Sequence, residues 1–231
     1  MSTQFDFFSK GGCLLCDEIG NNFPLTVRLG LCEDPHDNIL LETNNFVFLR
    51  DISPIVPGHC LIVPKQHFPS FAKIPERWTE ELQDFKEACE LLISREYQPP
   101  LLFEHGSGPL APRSGACVHH AHIHVLPLTA PVDRWMGEIG PVRQVGRLSP
   151  YELPDRLTFT DYLAYQDQDD LTFLVVEIRT RPPCQFIRRR LAEHLSLGDW
   201  RWESAFARGL PVVPRHSTDT FSVCSATAAT H

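Results

Sequence analysis

No stretch of about 18 apolar residues occurs in the chain, so the sequence offers no membrane-spanning helix of ordinary length. The first ten residues carry Phe5, Phe7 and Phe8 but neither a basic leader nor an apolar core, and do not read as a secretory signal. Positive charge is in deficit. The 21 Lys and Arg against 29 Asp and Glu give a net charge of −8, which argues against a nucleic-acid polymer as partner, because such proteins present a basic face. A small anion is not excluded, since a few local donors outweigh net charge. Cysteine is scarce, eight in 231 residues, which excludes a disulfide scaffold and fits a cytoplasmic protein with reduced thiols. Cys32, Cys60, Cys89, Cys117, Cys184 and Cys224 stand singly and read as small buried hydrophobes. Cys13 and Cys16 share a Cys-x-x-Cys spacing and stand apart. No internal repeat is present.

A hydrophobic content of 42% is ample for a packed core. The segment from Cys13 to Gly20 reads as a metal knuckle or a first short helix. Asn45–Arg50 and His59–Val63 are β-rich runs separated by Pro54 and Pro57-Gly58, as in an antiparallel hairpin with a long loop. From Pro75 to Tyr97, Trp78, Leu82, Phe85, Cys89 and Leu92 recur at helical steps, and Pro99-Pro100 ends the run. Leu101–Glu104 reads as a strand and Gly106–Gly115 as a loop. Val118–Leu126 reads as a strand whose alternation puts His120, His122 and His124 on one face. This order predicts an α+β fold, an antiparallel sheet with one long helix. Further on, Asp133–Gly137 reads as a short helix, and Leu157–Tyr165 and Leu171–Ile178 as strands. Pro183–Leu195 reads as a helix carrying Arg188, Arg189 and Arg190. Those arginines suit either an anion near a helix N-terminus or a solvated basic face. The division expected is a catalytic domain over 1–135, a C-terminal strand-helix extension over 136–215 and a disordered tail over 216–231.

Four of the eleven histidines fall between His119 and His124. A strand with alternate histidines suits either a solvated metal patch or a phosphate site. Imidazole is a good nucleophile toward phosphorus, being neutral near pH 7 and able to leave again. It needs a partner on its other nitrogen to fix the tautomer, and a backbone carbonyl around His120 is the candidate. Cys13-Leu-Leu-Cys16 taken alone suits a redox pair or half of a zinc site.

The sequence His120-Ala-His122-Ile-His124-Val-Leu126 resembles the motif of the histidine-triad (HIT) superfamily. Phe48-Leu-Arg-Asp-Ile-Ser-Pro54 and Pro57-Gly-His-Cys-Leu-Ile-Val-Pro-Lys-Gln-His67 are similar to its upstream signature, and the resemblance spans about residues 10–130. It implies His122 as a nucleophile that takes up a nucleotide, with His124 contacting the phosphate. It implies Asp51 as an acid for ribose, whose alternative is a turn cap, and His59 beside the site, whose alternative is a satisfied core histidine. The zinc-containing branch implies a structural Zn2+ held by Cys13, Cys16, His67 and His120. The activity implied is hydrolysis of nucleotide conjugates. Nucleotidyl transfer or phosphorolysis and a non-catalytic nucleotide-binding role are the alternatives. His124 at the third motif position favours hydrolysis, and a homodimer sharing its sheet is the assembly implied. Departures lie at Glu104-His105-Gly106 and at Ala116 and Cys117, which stand where the family has asparagine, glutamine and a hydroxyl. Arg113, in the loop between them, is the candidate replacement donor, with a solvated loop arginine as the alternative. Cys117 is carried as a substrate-side residue.

Overall fold

The computed structural model describes residues 12–20, 24–106, 118–136, 138–139, 142–148, 162–166, 173–178, 182–183 and 185–202. The short helices α1 (Leu14–Ile19) and α2 (Leu25–Arg28) precede a 3-10 turn at Pro35–Asn38. Strands β1 (Ile39–Glu42), β2 (Phe46–Arg50) and β3 (Cys60–Pro64) follow, then the 18-residue helix α3 (Thr79–Glu96). Next come β4 (Leu101–Gly106), β5 (Ile123–Leu126), α4 (Val132–Met136), β6 (Val142–Leu148), β7 (Tyr162–Gln166), β8 (Phe173–Ile178) and α5 (Phe186–His194). The strands form one antiparallel sheet in the order β1-β2-β3-β5-β4-β7-β8-β6. Among the described residues no helix is long and apolar enough to cross a membrane.

Period-two alternation divides the strand residues between two faces. Phe46, Phe48, Cys60, Ile62, Leu102, Ile123, Val125 and Ala164 point to one side and meet Leu82, Phe85, Cys89 and Ile93 of α3. Trp78 closes that core edge-on against Phe46, with ring centroids 6.0 Å apart. The other side carries two separate clusters. Val47, Leu49, Leu61 and Val63 pack against Leu15 and Ile19 of α1. Leu101, Phe103, Leu126, Leu163, Tyr165 and Val176 pack against α4 and α5. A cleft lies on this second face, lined by α1 on one hand and α5 on the other.

Three sequence expectations are corrected. The long helix begins at Thr79 rather than Pro75, because Glu76–Trp78 forms a 3-10 turn ahead of it. Strands β1 and β6 were not foreseen. The histidine strand runs only from Ile123, so His120 and His122 lie outside it and the three histidines do not share a strand face. The ladder ends at the Ile62–Ile123 pair, and two residues beyond Ile62 stands Pro64, which has no N–H to give. Its carbonyl accepts instead from the His120 ring, and the Ala121 N–H turns away to the Phe68 carbonyl at 2.7 Å. The expected tail at 216–231 lies outside the described residues.

Candidate functional site

The cleft encloses about 870 Å³, its open mouth included. Leu14, Leu15, Leu25, Leu49, Leu61 and Phe103 give it an apolar wall, and Asp51, His105, His122, His124 and Arg188 supply most of its ionisable chemistry. That combination, apolar with a few convergent polar groups, is the usual form of a small-molecule site.

Backbone contacts choose the tautomers of His122 and His59, and His59 in turn sets that of His124. His122 Nδ1–H donates to the His120 carbonyl at 2.7 Å, which leaves the Nε2 lone pair of His122 unprotonated. His59 Nδ1 accepts from the Ile55 N–H at 3.2 Å, so its Nε2 carries the proton. That proton faces His124 Nδ1 at 3.0 Å and Asp51 Oδ2 at 3.4 Å. His124 therefore accepts on Nδ1 and holds its proton on Nε2, ready to donate. Asp51, His59 and His124 lie close enough together to resemble a metal-binding trio. With its Nε2 protonated, His59 has no lone pair there for a metal, and the trio is better described as a hydrogen-bonded chain.

Burial lowers the affinity of all these imidazoles for a second proton. His59 is brought down to about 4 by burial against the opposing pull of Asp51. His122 is lowered by burial, opposed by its bond to His120 and by Asp51. His124 is pushed well down by burial and then by His122 and His59. Burial pulls the Asp51 carboxyl up, but His59, Arg188 and the Ser53 N–H together hold it below its ordinary value. Since His59 is itself neutral at pH 7, the standing positive charge beside Asp51 is Arg188.

A second cluster stands behind the cleft. The ligand atoms of Cys13, Cys16, His67 and His120 all lie within 4.8 Å of one another. Cys16 Sγ is 3.3 Å from His67 Nδ1 and 3.4 Å from His120 Nδ1, and Cys13 Sγ is 3.5 Å from His120 Nδ1. Ligands held tetrahedrally at zinc's bond lengths of about 2.0–2.3 Å stand roughly 3.5 Å apart. His120 gives its Nε2 proton to the Pro64 carbonyl at 2.7 Å, which turns the Nδ1 lone pair toward the sulfurs. Both cysteines are free thiols. The donor set and its spacing fit a closed tetrahedral metal site.

The structure brings Asp51, His122 and His124 into one cleft and Cys13, Cys16, His67 and His120 into one cluster. Asp51 also caps its turn, accepting the Ser53 N–H at 2.7 Å, so the two readings of it coexist. His59 is 2% exposed and is not part of the cleft wall; it touches the site through Asp51 and His124. Arg113 and Cys117 lie outside the described residues. Two cleft residues were not assigned a site role from the sequence. His105 alternates with Phe103 on β4, a signal the strand pattern contains, yet no recognised motif marks it. Arg188 reaches the cleft from α5 and is 6% exposed, whereas Arg189 is exposed to solvent and Arg190 half-buried, so a solvated basic face describes only part of this run.

The chain is similar to known proteins over part of its length. Residues 33–130 match the HIT domain family. An uncharacterised HIT-like protein of Methanocaldococcus jannaschii is 28% identical over 149 residues, covering 63% of this chain and 95% of that protein. Among solved structures, a hypothetical histidine triad nucleotide-binding protein of Sulfolobus tokodaii aligns with a TM-score of 0.39 at 21% identity, covering 50% of this chain and 68% of that one. A Zn-bound histidine triad family protein of Mycobacterium smegmatis aligns with a TM-score of 0.40 at 19% identity, covering 53% and 79%.

Proposed function

Since residues 33–130 of this chain are a HIT domain, we propose that the protein cleaves nucleotide conjugates through a covalent intermediate on His122. The observation that carries this reading is the bond from His122 Nδ1 to the His120 carbonyl, which presents an unprotonated Nε2 to a cleft of nucleotide size. In the first step His122 Nε2 attacks the α-phosphorus and the bond to the leaving group breaks, its electron pair departing with that group. In the second, water attacks the same phosphorus and the phosphorus–nitrogen bond breaks, returning the free imidazole. His124, donating from Nε2, stabilises the charge that gathers on the phosphoryl oxygens. Asp51 accepts from the sugar hydroxyls, and the apolar wall receives the base.

Cys13, Cys16, His67 and His120 are proposed to hold a structural zinc ion. Such an ion would tie the N-terminal helix to the segment that carries the nucleophile. It takes no part in the chemistry, because a closed four-ligand site leaves no position for substrate.

The test is a screen of AMP, GMP and UMP phosphoramidates for product release, with and without added phosphate as a rival acceptor. Mass spectrometry of quenched reactions should find a nucleoside monophosphate on the peptide that contains His122. Turnover by His122→Ala should fall at least about a thousandfold, with folding and zinc content retained. Full activity in that variant would refute the assignment.

A further inference from the structure

Arg188 belongs to α5, beyond the residues that match the HIT domain, yet its guanidinium ends at the floor of the cleft. Its donors are directed inward. Nε donates to the Trp200 carbonyl at 2.9 Å, and Nη2 donates to the Ser53 carbonyl and, at 2.9 Å, to Ser53 Oγ. Nη1 stands 3.8 Å from Asp51 Oδ2. The arginine thus grips the Asp51–Ser53 turn and sets a permanent charge beside its carboxylate. A fork with three donors committed to protein oxygens is a fastener rather than an anion receptor.

The two carboxylate oxygens of Asp51 are not equivalent. Oδ1 is taken by the Ser53 N–H at 2.7 Å. Among the described residues Oδ2 has only longer contacts, at 3.4 Å to His59, 3.9 Å to His124 and 3.8 Å to Arg188. Its lone pairs remain available to donors that enter the cleft. A carboxylate buried this deeply is kept ionised by hydrogen-bond donors and by positive charge fixed nearby. His59 is neutral, so that charge comes from Arg188.

We propose that Arg188 is a positioning residue for sugar recognition, holding the Asp51 carboxylate in place and ionised so that Oδ2 accepts the hydroxyls of a substrate ribose. This rests on the function proposed above and deepens it. The C-terminal helix is then part of the specificity apparatus of the HIT cleft, and sugar selection depends on a residue outside the HIT domain.

The test uses the full chain and the nucleoside phosphoramidate turned over fastest in the screen, alongside its 2′,3′-dideoxy counterpart. Wild type should prefer the ribose substrate in kcat/KM by about tenfold or more, the usual weight of hydroxyl bonds to a charged acceptor. In Arg188→Met that preference should fall to about twofold or less, chiefly through KM for the ribose substrate. Arg188→Lys should restore part of it, returning the charge without the fork. Asp51→Asn, measured in parallel, separates the two claims. Preference lost in Asp51→Asn but retained in a folded Arg188→Met overturns the role of Arg188 alone. A wild type without preference, or an Asp51→Asn that keeps it, overturns the sugar-binding reading and the Arg188 role with it. Should Arg188→Met fail to fold, Arg188→Lys decides, and a preference equal to wild type overturns the role.

Discussion

Among the described residues, one ring nitrogen of His105 has nothing to bond. The residue is 8% exposed, lies beside Phe103 in the cleft, and its Nε2 is the buried atom left without that partner. Burial, and then His122, bring it down to about 3, so it is neutral at any physiological pH. A buried unpaired polar atom costs about 1–3 kcal/mol, a penalty that a bound ligand able to pair with Nε2 would remove. Replacing His105 with leucine, of similar volume, should therefore raise the stability of the free protein by about 1 kcal/mol or more. The same change should weaken nucleotide binding. Thermal melts with and without AMP would show both effects, as a higher melting temperature without ligand and a smaller upward shift with it. A variant that melts lower and responds normally to AMP would place His105 in the packing rather than in recognition. The sequence marked its neighbours and not this residue, because an orphaned nitrogen is a property of surroundings that only the folded chain assembles. The same applies to Arg188. Within Arg188-Arg-Arg190 the three side chains are chemically alike, and only the phase of α5, fixed by Ile187, Leu191 and Ala192 in the core, selects which one turns inward.

Helix α1 spans six residues, too short to persist without tertiary support. Its support has two parts. Leu15 and Ile19 pack on Val47, Leu49, Leu61 and Val63, while Cys13 and Cys16 sit at its start in the cluster with His67 and His120. The same helix lends Leu14, Leu15 and Glu18 to the cleft wall. Glu18 is buried and locked by the Thr26 N–H at 3.2 Å, the Thr26 hydroxyl and Asn38 Nδ2 at 3.5 Å. Stripping the proposed zinc with a chelator should therefore act on the site as well as on the fold. The expected result is a melting temperature lowered by more than about 5 °C, as loss of a few kcal/mol implies, together with a rise in KM, both reversed by adding zinc. A chain verified as zinc-free that keeps its wild-type melting temperature and KM would refute the site. At this scale the sequence was most informative where one period dominates. The helix α3 could be named because three- and four-residue steps run unbroken through it, and the β2–β3 hairpin because two continuous β-rich runs flank the turn residues Pro54 and Pro57-Gly58. The short β1, Ile39–Glu42, was hidden by its length, and β6, Val142–Leu148, by two arginines and a glutamine that interrupt its apolar residues. The histidine segment was overextended because alternation continues through His120 and His122, while the proline just beyond the end of the ladder is on a different strand.

The segment that matches the HIT domain and the strands that follow it meet inside one sheet, along β4 and β7. Strand β4 is not an edge of the sheet, because β7 of the same chain pairs with it. The seam is tight, since a Cβ on Gly106 would come within 2.1 Å of the Tyr162 ring. Glu104 fastens it, accepting the Tyr162 hydroxyl at 2.5 Å on one oxygen and the Phe71 N–H at 2.8 Å on the other. Tyr162 in turn accepts the Ala72 N–H at 3.2 Å, so this buried carboxyl joins β7 to the turn ahead of α3. Burial raises Glu104 from its ordinary 4.5 to about 7, with the bonds from Tyr162 and Phe71 opposing the rise. The sign of its effect on stability follows. Between those two values the folded chain keeps a proton that the unfolded chain has shed, so stability declines as pH rises. Glu104's contribution is complete below about 4.5 and gone above about 7, falling by up to about 1.4 kcal/mol per pH unit between them. Glutamine at 104 keeps an acceptor for Phe71 and presents an amide to Tyr162 without titrating. Urea unfolding of wild type and Glu104→Gln near pH 5 and near pH 7.5 isolates the effect, because every other titrating group is common to both proteins. Wild type should lose ground to the variant as the pH is raised. A stability difference equal at both values would mean that Glu104 titrates normally. The seam between the two parts of the chain would then be held by packing alone, without this buried carboxyl as its pH-sensitive fastener.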